Sequence, residues 1–133
     1  MGRMPGAPYS SAEFGSNAGG FRVQSNAERN LRIAAWGYWP TDVTSSFGVQ
    51  AVAAVQALTR SSVFVFDSKD LKPQGTDGQE AIRLMFRALA RLSFAKGVIL
   101  RGNAMTCMQL ARLLRECAAD QRLEFVDTHP LGT

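Results

Sequence analysis

Asp67, Asp70 and Asp77 stand close together in the sequence, and carboxylates so placed could gather a divalent cation or share acid–base work where a strand ends. Their spacing matches no metal-binding loop, and Asp at a strand end is common turn chemistry. Cys107 and His129 supply a nucleophile and a base. A working Cys–His pair would require His129 to fold back out of a polar tail, and Cys107 falls on the apolar face of an expected helix, where a thiolate is disfavoured. Cys107 and Cys117 would be separated by about 15 Å along that helix, beyond disulfide reach. Both are expected to be small buried residues. Gly75-Thr76-Asp77-Gly78 lacks the lysine of a phosphate-binding loop. These readings leave no catalytic residue, no metal and no cofactor, and point to a non-enzymatic protein.

Two polar features remain. Thr76-Asp77-Gly78-Gln79 fits a capping box, in which the Thr76 oxygen accepts from the Gln79 N–H and the Gln79 side chain reaches back. Such a helix start also carries free N–H groups and partial positive charge. A phosphate on Thr76 would change any surface docked there, and Asp77 already places a fixed negative charge beside it. Arg83, Arg87 and Arg91 follow at helical spacing and form one exposed row. Such a row is usually a solvated face, and it also suits an acidic protein partner. Basic residues do not interleave with aromatics, which argues against nucleic acid.

The elements that must position these residues follow from periodicity. With 133 residues, 46% apolar and 20% charged, the chain has the composition of one globular domain with a core of its own. The net charge of +4 permits an acidic partner without requiring one. No apolar run reaches the length of a membrane span, and the first residues lack the apolar centre of a secretory signal, so a cytoplasmic location is expected. Residues 1–20, rich in Gly, Ser, Asn and Pro, read as a disordered leader. Phe21 to Gln24 and Leu31 to Trp36 read as a hairpin. Trp36, Tyr38 and Trp39 are expected to close one end of the core. A first helix opens at Thr41 or Asp42 and buries Val43, Phe47, Ala51, Ala54, Val55 and Leu58. Val63 to Phe66 is a strand covered on both faces, ending at Asp67. A loop spans 68–75, and a second helix from Thr76 buries Ile82, Met85, Phe86 and Leu89. Gly97 to Leu100, a third helix with Cys107, Leu110, Leu114 and Cys117 inward, and Leu123 to Val126 complete the order. The class is α/β: β-β-α-β-α-β-α-β, a mostly parallel sheet with an N-terminal hairpin, domain 21–127, and a polar tail 128–133.

This order, with Asp67 ending a strand and Gly75-Thr76-Asp77-Gly78 opening the next helix, resembles the STAS domains, named for sulfate transporters and anti-sigma-factor antagonists. Gly78 matches the family glycine and Thr76 the first hydroxyl residue. Asp77 stands where the antagonists carry a phosphorylatable residue, and Gly75 replaces the usual Asp. Trp36-Gly37-Tyr38-Trp39 and Leu123-Glu124-Phe125-Val126-Asp127 are similar to a bacterial branch of the superfamily related to lipid-binding Sec14 domains.

The resemblance implies partner switching rather than chemistry. The expected function is regulatory docking of a signalling protein, such as an anti-sigma-type kinase. It would use the 68–79 loop and the exposed side of the second helix, through Asp67, Lys72, Gln74, Thr76, Asp77, Gly78, Arg83 and Arg87. A small apolar or lipid ligand site of Sec14-like character is the alternative. The partner, the pathway and the oligomeric state are not legible in the sequence.

Overall fold

The computed structural model describes residues 10–127. Six strands and three helices follow in the order β1 (Ser10–Ser16), β2 (Gly19–Ser25), β3 (Leu31–Gly37), α1 (Thr41–Val55), β4 (Val63–Leu71), α2 (Thr76–Ala90), β5 (Lys96–Leu100), α3 (Ala104–Glu116) and β6 (Glu124–Val126). All six strands join one sheet in sequential order. β1–β2 and β2–β3 are antiparallel, while β3–β4, β4–β5 and β5–β6 are parallel. The sheet is therefore mixed, with an antiparallel meander at one side and parallel crossovers at the other.

Each crossover steps to the next strand in the same direction. Right-handed connections of that kind place every helix on one face. Accordingly, one large core joins Phe47 and Val55 of α1, Ile82 and Phe86 of α2, and Leu110 and Leu114 of α3 to Ile33, Phe64, Phe66 and Ile99 of the sheet. Val65, Val98 and Leu100 point the other way and form a separate small cluster. Aromatic rings run through the main core from Phe14 on Phe21, through Trp39 and Phe47, to Phe66 and Phe86.

Three expectations change here. Part of the supposed leader is structured, because Ser10–Ser16 forms β1 and β2 begins at Gly19; residues 1–9 lie outside the described residues. The aromatic group splits: Trp39 enters the core, Tyr38 is exposed, and Trp36 donates from Nε1 to Ser16 O on the hairpin. Asp67 lies inside β4 rather than at its end. Arg32 of the adjacent strand reaches it with a 2.6 Å ion pair, so a carboxylate can occupy a strand interior. Gly37 closes β3 with a φ of +68°, and a Cβ there would meet Ala18 O at 2.0 Å. Only glycine fits between the hairpin turn and the strand end.

Candidate functional site

The residues between β4 and α2 are organised by one buried side chain. Gln74 Nε2 donates to Gly37 O at 2.9 Å and to Lys72 O at 2.8 Å, while its Oε1 accepts from Trp39 N at 3.0 Å. Its backbone is held as well: Gln74 N donates to Gln109 Oε1, and Gln74 O accepts from the side-chain amides of Gln79 and Gln109. One residue thus ties the β3–α1 connection, α2 and α3 together. Gly78 is buried against it, and a Cβ at that position would lie 2.8 Å from Gln74 Cβ and 2.9 Å from Oε1. Gln74 and Gly78 therefore act as the frame of the joint, not as its contact surface.

The capping box does not form. Gly75 occupies the N-cap without a side-chain bond, Gln79 N donates to Gly75 O, and the Gln79 amide goes to Gln74 O. Thr76 is left exposed at the first helical position. α1 also starts without a side-chain cap, at Pro40 rather than at Thr41 or Asp42. α3 differs: Asn103 Oδ1 accepts from Met105 N and Thr106 N. The uncapped starts of α1 and α2 face each other across a hollow of about 270 Å³ between Tyr38, Thr41, Thr44, Gly75, Thr76 and Asp77. Asp42 and Asp77 sit in the two first turns, where negative charge complements the helix dipoles.

A second hollow of about 280 Å³ lies between α1 and α2, and its walls include Gly48, Val49, Glu80 and Leu84. Thr44 and Asp77 line both hollows, so the two adjoin and make up a groove along the helix pair. α1 passes close to α2 at Gly48, where a Cβ would stand 3.4 Å from Leu84 Cδ1. Val49 is 66% exposed and Leu84 41%. Neither belongs to the apolar stripe of its helix.

No family model, no curated protein and no solved structure matches this chain.

The remaining expected residues distribute as follows. Lys72 is exposed but lines neither hollow of the groove, whereas Asp77 lies on its wall. Asp67 is buried on the opposite face of the sheet, where its Oδ1 also accepts from Lys69 N, so it takes no part in this surface. The arginine row is not a free cationic stripe: Arg83 pairs with Glu80 and Glu116, and Arg87 with Glu80. The hydrogen bonds from Arg83 and then Arg112 hold the Glu116 carboxyl below its usual range, and the Glu116 bond raises Arg83 in turn. Among the described residues no group of three or more His, Cys, Asp and Glu side chains could hold a metal ion. No described helix is long and apolar enough to cross a membrane.

Cys117 is buried, and burial pushes its thiol upward. Cys107 is only half-buried, with its Sγ directed to Gly102 O at 3.9 Å, and it is not the inward core residue expected of it. His129 lies outside the described residues. Sequence reasoning missed Tyr38, Thr44, Val49 and Leu84 as site residues. For Val49 and Leu84 the signal was present, since each is an aliphatic side chain standing off the buried stripe of an amphipathic helix.

Proposed function

We propose that this chain is a non-catalytic regulatory docking domain of STAS type, and that it engages a protein partner along the groove between α1 and α2. The observation that carries the reading is the pair of adjoining hollows running from Tyr38 past Thr44 and Asp77 to Val49 and Leu84, with these two aliphatic side chains left in solvent. Burying such a side chain on association is worth about 1.5–3 kcal/mol, enough to anchor an interface. The sequential strand order, the hairpin at one side of the sheet and the Gly75–Gly78 joint at the start of α2 support the family reading. The partner would present apolar side chains to Val49 and Leu84 and a hydrogen-bond donor or cation to Asp77. Asp77 gives the head of the groove a permanent negative charge, so the domain offers one constitutive surface rather than a phosphate-controlled one.

The test uses the intact chain as bait in lysate of the source cell, beside Leu84→Glu and, as a surface control on α3, Arg115→Glu. A protein retained by the wild type and the control but lost with Leu84→Glu, and then shown with purified components to bind at least about tenfold more weakly to that variant, supports the proposal. Equal retention by all three refutes it. A copurifying lipid in native mass spectrometry would favour the ligand-carrier alternative.

A further inference from the structure

The groove between α1 and α2 is walled by helices, whose backbone groups are bonded within each helix. Beyond the two helix starts it offers an incoming segment no N–H or carbonyl to pair with. An extended peptide seated there would bury its own backbone groups without partners. A helix brings its backbone bonds with it. It also fits the shape, since a third helix can lie in the furrow of a packed pair with its axis about 8–10 Å from each of the others.

The two walls run in the same direction. Thr44 and Asp77, near the helix starts, line the same two hollows, and Gly48 meets Leu84 further along each helix. Both N-termini therefore lie at one end of the groove, its head, and both C-termini toward the other, its foot. Charge follows the same axis. The first turns carry Asp42 and Asp77, and α1 contains no other charged residue. Along α2 the order is Asp77, Glu80, Arg83 and Arg87, with Arg91 at the C-cap. Glu80 lines the groove but is met by Arg83 at 3.0 Å and Arg87 at 3.4 Å. Arg87 follows Glu80, and Arg91 follows Leu84, by two turns on the same side of the helix. The head is thus acidic and the foot basic, with Val49 and Leu84 exposed between them.

A helix laid in this groove meets two macrodipoles that point the same way, and it packs best by opposing both. The favoured charge order of a helix, acidic at its start and basic at its end, then complements the groove at each end. Taking the groove as the docking surface, as proposed above, we infer that its occupant is an amphipathic α-helix of the partner protein, antiparallel to α1 and α2. Its aliphatic side chains, at i, i+3 or i+4 and i+7, cover Val49 and Leu84. Lys or Arg in its last turn meets Asp42 and Asp77, and Asp or Glu in its first turn meets Arg87 and Arg91. Three turns suffice, because Asp77 and Arg87 are about 15 Å apart along α2.

The probe is a synthetic amphipathic peptide of about 16 residues, long enough to form the helix on binding. It has Glu in its first turn, Lys in its last and a Leu stripe, and it carries a nitroxide at one end or the other. It is added to the isotope-labelled intact chain and read by nuclear magnetic resonance. The expected result is saturable shifts at Val49 and Leu84, with binding weakened at least about tenfold by Leu84→Glu. The C-terminal nitroxide should broaden the Thr44 and Asp77 amides more than those of Ala53 and Ala88, and the N-terminal nitroxide should do the reverse. The opposite pattern, or one pattern from both ends, overturns the inference. So does the absence of shifts at Val49 and Leu84 up to about millimolar peptide. If a lysate protein is then still retained in a Leu84-dependent manner, the docking reading survives that failure, whereas equal retention by Leu84→Glu removes the reading itself. Self-association of the chain that Leu84→Glu abolishes would assign the groove to a second copy and likewise overturn the inference.

Discussion

The joint between β4 and α2 can be interrogated by pairing Gln74→Ala with Gly78→Ala. Gln74→Ala removes the acceptor of the buried Trp39 N–H and the donor to Gly37 O and Lys72 O. Gly37 O keeps the Lys72 N–H, at 3.2 Å, and Lys72 is near solvent, so the Trp39 N–H bears most of the loss. An orphaned buried donor costs about 1–3 kcal/mol, and the lost packing brings the total to about 2–4 kcal/mol. At about 4 °C per kcal/mol for a chain of this size, the melting temperature should fall by about 8–16 °C. Gly78→Ala pushes a methyl to 2.8 Å from Gln74 Cβ, against a side chain pinned by three hydrogen bonds. Overpacking of about 1–3 kcal/mol outweighs the helix-propensity gain of up to about 1 kcal/mol. Once Gln74 is truncated, the pins and the Oε1 and Cγ contacts are gone, and only the Cβ contact remains for the new methyl to relax against. The double variant should therefore be more stable than the sum of the two losses predicts, by about 1 kcal/mol. Urea unfolding of the four proteins measures the cycle. Additivity, or a cost for Gln74→Ala below about 1 kcal/mol, would show that water replaces the amide and that the joint is not held as described.

The Arg32–Asp67 pair makes its own prediction. Asp67→Ala strands a mostly buried guanidinium and should destabilise the fold by about 2–3 kcal/mol in thermal or urea unfolding. Glu116, whose carboxyl is held low by Arg83 and Arg112, contributes stability that is present above its unfolded pKa and lost as the pH falls through the folded value. The stability difference between wild type and Glu116→Gln should therefore persist near neutral pH and disappear in acid, with high salt shrinking it throughout. Alkylation followed by peptide mapping should modify Cys107 well before Cys117, which is buried and whose thiol that burial pushes upward.

Much of the scaffold was legible because its signals are local. The apolar stripes of α1 to α3 and the β-branched runs of β4 and β5 each declare their own element within a few residues. What escaped notice depends on partners outside the element itself. β1 contains a single large apolar residue, Phe14, and is a strand because it pairs with β2 and stacks that ring on Phe21. Asp67 reads as a strand end until Arg32, from the neighbouring strand, supplies its counter-charge. Thr76 reads as a cap until Gln74, whose amide is committed elsewhere, draws the Gln79 side chain to its own carbonyl. The arginine row was visible, but the pairing of Arg83 with Glu116 comes from a different helix. Of the groove, the sequence reading reached the Thr76–Asp77 end. Val49 and Leu84 were readable as off-stripe aliphatics, yet only the crossing at Gly48 brings them together.

Because the strands are laid down side by side in the order they occur, no early segment has to wait for a distant one before it can bond. Each newly made strand finds its neighbour already in place, and each helix closes over a gap only one strand wide. Assembly on the ribosome can thus advance from the hairpin toward β6 as the chain emerges, with brief exposure of unpaired edges and few opportunities for a wrong partner. Among the described residues the strand at that side of the sheet, β6, is only three residues long. The edge it presents is correspondingly short, which limits runaway strand addition by neighbouring molecules.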